Sequence, residues 1–463
     1  MATSEVEFRQ KELLFPGPLP YASWMKLASF FLVAWLTIMA PLAQAQPTPT
    51  PVSLTSAAGP AAGLEPAAAT RAWLETVPAE KRAQSDAYFE GRYWLLLWNF
   101  ALGIAIAIFL LASGLSARLR DFAERCTSSK ILQPAIYVVP YVLIVSLLAF
   151  PLLVYSDFFR EHAYGLANQS FGPWFQEQLI GLGLEVVVSA LLMTALYAVF
   201  RRAPRTWWLW GSGIGFLFLA LQMLIAPVFI APLFNTYKPL ADPKISQPIL
   251  AMASANQIPV QQVFEVDASR QSKRVSANVS GLFGTTRISL NDNLLAQCTL
   301  PEIRAVMAHE MGHYVLNHAF KLILYFGLFV TGAFAFSFVF FERAIRRWGP
   351  RWRVRGIADP AGLPLLVLLF TVYFFLLTPL ANTAVRVTER EADAFGLNTA
   401  READGFAKVA LKLGTYRKLD PGPLEEIVFF DHPSGRARIR MAMDWKAANL
   451  PAGDAGKPLG ITR

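Results

Sequence analysis

Residues 301–320 read PEIRAVMAHEMGHYVLNHAF. His309 and His313 stand four apart, so on a helix they share a face and both imidazoles reach one metal ion. Glu310 is displaced around the helix by one residue. There a carboxylate can hold a water whose pKa zinc lowers towards ~7, and take its proton. The chemistry that this H-E-x-x-H spacing points to is hydrolysis. The chain has five histidines, His162, His309, His313, His318 and His432. With so few, the motif arises by chance in far fewer than one in ~100 such chains. Three of the five fall at i, i+4 and i+9 of one predicted helix. His318 is off the shared face, which places it beside the ligands rather than on the metal. Thr299 and Glu302 have the spacing of a capping box that starts the helix.

An open zinc site needs a third protein ligand and leaves its fourth position for water. The segment NTAVRVTEREADAFGLN (382–398) supplies candidates. Glu389 and Asp393 are four apart and share a helical face. Glu391 is the rival for the third ligand and points about 200° around the helix from Glu389. A solvated amphipathic face is the alternative, with Arg386, Arg390 and Arg401 nearby.

What positions these residues is a membrane scaffold. Of 463 residues, 54% are hydrophobic and only 16% charged, against about 25% charged in soluble domains. That excludes a disordered chain and argues against a soluble enzyme. Two cysteines, Cys126 and Cys298, cannot build a disulfide framework. The net charge of +9 comes with no aromatic-interleaved basic face, so no nucleic-acid partner is expected. Runs of about 20 apolar residues suffice to span a bilayer. Six are predicted, at about 93–115, 133–155, 178–200, 207–230, 320–341 and 362–384, the last running on into the polar helix with Glu389. Glu185 lies inside the third run, where a carboxylate faces a hydrated cavity or a polar neighbour.

Basic residues crowd three alternate short loops. Arg118, Arg120, Arg125 and Lys130 lie in 116–132, Arg201, Arg202 and Arg205 in 201–206, and Arg343, Arg346, Arg347, Arg351, Arg353 and Arg355 in 342–360. The intervening loop 156–177 has only Arg160. The positive-inside rule puts the three basic loops in the cytoplasm, and 231–319 and 385–463 outside. Near the start, Met25-Lys26, an apolar stretch and Ala43-Gln44-Ala45 read either as a cleaved signal or as a retained first span. Under the signal reading, 1–24 is an upstream extension from a misjudged start codon. The Pro/Ala/Thr-rich stretch 46–70 reads as an exposed linker.

Residues 263–267 and 286–291 alternate apolar and polar, as half-buried strands do. Ala277–Gly281 is a candidate exposed edge on which an extended substrate adds as a strand, with Asn278 and Gly281 as contact residues. The alternative is a purely structural strand.

The HEMGHYVLNH run, with EREAD beyond two further apolar spans, resembles the type 1 CAAX prenyl endopeptidases, integral-membrane zinc metallopeptidases. FIAPLFNTYKPL (229–240), NVSGLFGTTRISLNDNLL (278–295), FREHAYGLANQSFG (159–172) and DHPSGRARI (431–439) are similar to family segments in the same order. The resemblance covers about residues 93–445. It implies a mainly α, polytopic fold: six or seven transmembrane helices around a hydrated chamber, with a small α+β metallopeptidase domain. It implies one zinc ion per chain on His309, His313 and Glu389, with Glu310 as base. Asp393 matches an aspartate that donates a proton or orienters a zinc-bound histidine, His432 an oxyanion-stabilising histidine, and Arg438 the arginine six residues on. Ser434-Gly435 and Ala437 depart from the family's P-L and Glu.

The expected organisation is therefore 1–24 extension, 25–45 signal or first span, 46–92 linker and pre-membrane segment, and 93–230 four spans. The catalytic domain 231–319, two spans over 320–384 and a C-terminal catalytic segment 385–463 follow. The expected partners are the lipid bilayer and a peptide or protein substrate. A prenylated C-terminal tail requires a cytosolic site. The charge count puts the site outside, favouring a quality-control protease of a bacterial inner membrane. A zinc-binding transporter or channel and a catalytically silent scaffold are the competing classes.

Overall fold

The computed structural model of the protein describes residues 64–281 and 286–449. The signal or first span at 25–45 lies outside the described residues. Helix α1 (Pro66–Glu75) opens the described chain, with the Glu65 carboxylate accepting from the Ala67 and Ala68 amides. It is followed by α2 (Ala79–Ala112), α3 (Leu115–Cys126), α4 (Gln133–Val154), α5 (Phe171–Arg202) and α6 (Trp207–Ile225). A π-turn at Tyr155–Phe159 carries α4 on to Ala163.

Five described helices are long and apolar enough to cross a membrane. They are α2, the extended α4, α5, α10 (His318–Trp352) and the helix Pro360–Ala400, whose α-helical part is α11 (Leu363–Ala400). Large apolar side chains face outward from them, such as Leu147, Leu328 and Leu376, as lipid-facing surfaces require. The predicted span at 207–230 is not among the five. It forms α6 over 19 residues, and a π-turn at Ala226–Ile230 follows.

Three further boundaries differ from the sequence reading. The first span begins at Ala79 rather than 93, because its polar leading turns continue the same helix. The end of the predicted linker is α1, whose Trp73 and Leu74 are buried against Phe406, Ile439 and Met443. The predicted loop 156–177 is largely helical, since α4 runs through it to Ala163 and α5 starts at Phe171.

The spans pack around Leu110, Val138, Leu196, Phe200, Trp207, Phe334 and Phe370, all nearly or wholly buried. At one end of this shell, α3 is tied to the segment between α10 and α11. Arg120, buried, contacts Asp359 at 2.8 Å, and Arg355 and Arg353 reach Glu124 and Asp121 at 2.7 and 3.0 Å. Two of the three basic loops therefore share one end.

The catalytic segment holds a four-stranded sheet of order β1-β2-β4-β3: β1 (Tyr237–Pro239), β2 (Val263–Val266), β3 (Ala277–Ser280) and β4 (Arg287–Asn291). Strands β2 and β4 are parallel and the other two pairs antiparallel. The expected half-buried alternation fails on β4, which is buried throughout. It is an inner strand, and its apolar residues Ile288 and Leu290 pack with Ile249 of α7 (Pro243–Ala255) and Met307 and Met311 of the zinc-motif helix. Strand β3 forms the edge, as expected for Ala277–Gly281, and Gly281 has φ 106° just past it. A positive φ of this kind favours glycine.

Short helix α8 (Asp292–Gln297) leads into α9 (Leu300–Val315), which carries the H-E-x-x-H motif. After α11 come α12 (Ala403–Leu413), α13 (Pro423–Phe429) and α14 (Gly435–Asn449).

Candidate metal centre

Helix α9 is fixed at its start by the predicted capping box. The Thr299 amide and hydroxyl donate to Glu302 at 2.5 and 2.8 Å, and Lys412 on α12 pairs with the same carboxylate at 2.8 Å. The helix then crosses α11 at two glycines. A Cβ on Gly396 would stand 3.0 Å from the His309 nitrogen, and one on Gly312 would stand 3.2 Å from the Ala392 Cα. No real side chain fits at such distances without a shift, so the two helices meet backbone to backbone.

That crossing brings His309, His313 and Glu389 together. The two Nε2 atoms are 3.1 Å apart. Glu389 Oε2 is 3.4 Å from His309 Nε2, and Oε1 is 3.5 Å from His313 Nε2. Zinc held at 2.0–2.2 Å by tetrahedral N and O ligands needs ligand–ligand edges of about 3.3–3.6 Å. The three separations fall at or close to that range, and the donor set is two imidazoles and a carboxylate. The residues fit zinc.

Around these three lies a second ring of contacts. Asp393, fully buried, places Oδ1 2.7 Å from His309 Nδ1, and its Oδ2 accepts from Arg438 Nε at 2.9 Å. Arg438 also reaches Glu389 Oε2 at 3.2 Å. His432 faces Glu389 through Nε2 at 3.3 Å and Asp431 through Nδ1 at 2.9 Å. On the other side, His318 Nδ1 lies 3.0 Å from His313 Nδ1, and its Nε2 lies 2.9 Å from Glu391. Metal-bound imidazoles are oriented in this way, by a partner on the nitrogen that does not bind metal.

Electrostatics follow from burial and these pairs. Burial disfavours charge on His309, but the carboxylates of Asp393 and Glu389 outweigh it and lift the ring to about 10. Burial drives His313 down to about 3, into the neutral form that ligates. Burial also pushes Glu310 up to about 7 against the opposing pull of His309. A proton held on His309 is one that metal loading displaces.

The site opens into a cavity of about 490 Å³ lined by His309, Glu310, Glu389, Asp393, His432 and Arg438, and also by Ala277 and Asn278 of β3. Gly281 is not among the lining residues. A neighbouring cavity of about 450 Å³ between the spans shares Arg92, Leu95, Asn99, Ala149 and Asp431 with it. Glu185 lines this second cavity with Tyr141 and Ser189.

One expectation is corrected here, and the choice between Glu389 and Glu391 is resolved. His318 does not continue the motif helix. Asn317 takes a left-handed conformation, φ 54°, so α9 ends and α10 begins at His318. Asparagine tolerates that region better than most residues. The rival ligand Glu391 turns away from the three ligands and serves His318 and Lys321. Sequence reasoning missed the Glu391–His318 pair, although the 200° offset of Glu391 already pointed it at a different neighbour. It also missed Arg417, which lines the cavity from the loop after α12.

A mainly helical membrane scaffold with a small mixed sheet and a His-His-Glu centre defines an integral-membrane metallopeptidase. Residues 239–446 match the model of peptidase family M48, and residues 67–236 match that of the CAAX prenyl protease N-terminal region with five membrane helices. The chain belongs to peptidase family M48 and is a CAAX prenyl protease-like zinc metalloprotease. It is 29% identical to an uncharacterised metalloprotease, YhfN, of Bacillus subtilis, over 80% of this chain and 86% of that one. It is 28% identical to CAAX prenyl protease 1 of Saccharomyces cerevisiae, over 65% and 69%. The fold is similar to the crystal structure of S. mikatae Ste24p, with a TM-score of 0.67 at 22% identity, over 80% of this chain and 90% of that one.

Proposed function

We propose that the protein is a zinc endopeptidase, one metal ion per chain, that hydrolyses peptide bonds with Glu310 as general base. The observation that carries this is the cluster of His309, His313 and Glu389 donor atoms 3.1–3.5 Å apart, with Glu310 in the same cavity wall. Zinc, when bound, supplies a Lewis acid that polarises the scissile carbonyl and acidifies the attacking water. Glu310 takes the proton from that water and passes it to the leaving amine. Burial favours this role, since a base raised to about 7 is matched to proton transfer near neutrality.

Asp393 holds His309 in the tautomer that presents Nε2, and Arg438 neutralises Asp393 and Glu389 behind the ligands. His432 donates to the oxyanion as the carbonyl becomes tetrahedral. Its Nδ1 partner, Asp431, fixes the ring with Nε2 towards the site. Replacing His432 by Ala should lower kcat about 100-fold and leave KM little changed, as measured on a fluorogenic peptide. An unchanged kcat removes His432 from the reaction.

Strand β3 is the place for an extended substrate. It is the sheet edge, it lines the cavity, and the buried Asn278 Oδ1 has no hydrogen-bond partner among the described residues. Asn278 is the contact residue, while Gly281 supports the strand's end through its backbone.

A transporter or channel with structural zinc fits less well, since structural zinc sites are closed by four ligands. The substrate class depends on sidedness. Helix α11 starts at the end where two basic loops meet and carries Glu389 26 residues on, about 39 Å along the axis. That exceeds the ~30 Å hydrocarbon core. With the basic loops inside, the site faces outward, and a membrane-protein quality-control protease in a bacterial inner membrane is the favoured reading. An alkaline phosphatase fused after Arg463 should be active, and a fluorescent protein that folds only in the cytosol should be dark. The opposite pattern places the site in the cytosol and restores prenylated tails as substrates.

A further inference from the structure

We propose that Arg417 is a specificity residue that binds a carboxylate of the substrate inside the catalytic cavity. This rests on the protease reading of the same site. The cavity wall carries several guanidinium groups, and they are not equivalent. Arg438 is bonded to Asp393 and Glu389. Arg274 is paired with Glu161 at 2.6 Å, a contact joined by the Tyr88 hydroxyl, and lies over the Tyr416 ring. Arg417 lines the same cavity, yet it makes no hydrogen bond or ion pair among the described residues.

Its surroundings make that costly. Burial and the neighbouring Arg438 pull its pKa down to about 10, with only Tyr416 and Glu389 pulling the other way. Arg417 is half-buried, and its guanidinium stays protonated and presents a planar fork of donors. With no carboxylate bonded to it among the described residues, the fork is only partly solvated at the cavity wall, and an arriving carboxylate gains two parallel, charge-assisted hydrogen bonds there. Arg417 and Glu389 are electrostatic neighbours, so the carboxylate it holds belongs to the peptide at the metal centre. A residue that waits unpaired for one charge sets specificity by leaving itself uncompensated when that charge is missing.

Two sources supply such a group: the free C-terminus of the substrate, or an acidic side chain near the scissile bond. The test uses full-length zinc-loaded protein in detergent and three N-acetylated, leucine-rich hexapeptides. One ends in a free carboxylate, one in an amide, and one in an amide with Glu as last residue. The wild type should cleave at least one carboxylate-bearing peptide more than tenfold faster, in kcat/KM, than the neutral amide. Preference for the first or the third identifies a terminal or a side-chain carboxylate.

In Arg417→Gln the ratio should fall to near one, and Arg417→Lys should keep part of it. Equal rates on all three peptides in the wild type overturn the proposal, as does an Arg417→Gln ratio equal to that of the wild type. Cleavage of the neutral amide that Glu310→Gln abolishes tests the protease reading by itself. If no peptide is turned over, binding of the same three peptides to the zinc-loaded protein decides. A more than tenfold preference for a carboxylate that vanishes in Arg417→Gln supports the proposal, and equal affinities sink it.

Discussion

Glu310→Gln should keep about one equivalent of zinc and lose peptide cleavage by a factor of order 10³. Glutamine preserves size and still hydrogen-bonds, but it cannot take a proton. Glu310 is not one of the three residues whose donor atoms form the ligand triangle, so metal content and turnover should separate. Zinc measured by atomic emission alongside a peptide assay checks this. A variant that loses zinc and activity together would make Glu310 a determinant of metal binding. One that keeps full activity would leave the reaction without its base.

Glu389→Ala should do the opposite and lose metal and activity together. It removes one of three ligands and leaves the two imidazoles without the carboxylate that faces their Nε2 atoms, while Arg438 keeps only Asp393 as an ion-pair partner among the described residues. Below three ligands an open site of this kind does not hold zinc. Bound zinc should fall to below about 0.1 equivalent after dialysis, with activity falling in proportion. The same treatment of Asp393→Ala should show a milder loss, of order 10–100-fold in affinity, because Asp393 acts through His309. A Glu389→Ala protein with stoichiometric zinc and full turnover would remove Glu389 from the centre.

Much of this centre is legible in local sequence. The motif spacing, the capping box and the four-residue step from Glu389 to Asp393 each follow from helix period alone. Which carboxylate of the EREAD segment reaches the metal does not, because it depends on how α11 is rotated against α9. Gly312 and Gly396 decide that rotation, and neither glycine announces a crossing partner in sequence. Apolar runs located the five spans, but their ends were missed wherever a polar turn continued the helix, as at Ala79 and Ala163. The break before His318 was hidden for a similar reason. Helical spacing assumes an unbroken helix, and a single left-handed asparagine resets it. Arg417 follows no periodic signal at all, and a lone arginine in TYRKLD reads as solvated until the cavity is seen.

The glycine crossing also constrains how this protease can change over time. A Cβ added at Gly312 or Gly396 would meet the other helix at 3.0–3.2 Å, so a side chain there fits only if a neighbour gives by a few tenths of an ångström. At Gly396 the neighbour that must give is the backbone of His309 itself, so a replacement there presses on a zinc ligand. A methyl group gained at either glycine pushes outward on the contact between the motif helix and the helix carrying Glu389, and a descendant that carries one needs a compensating change in that seam.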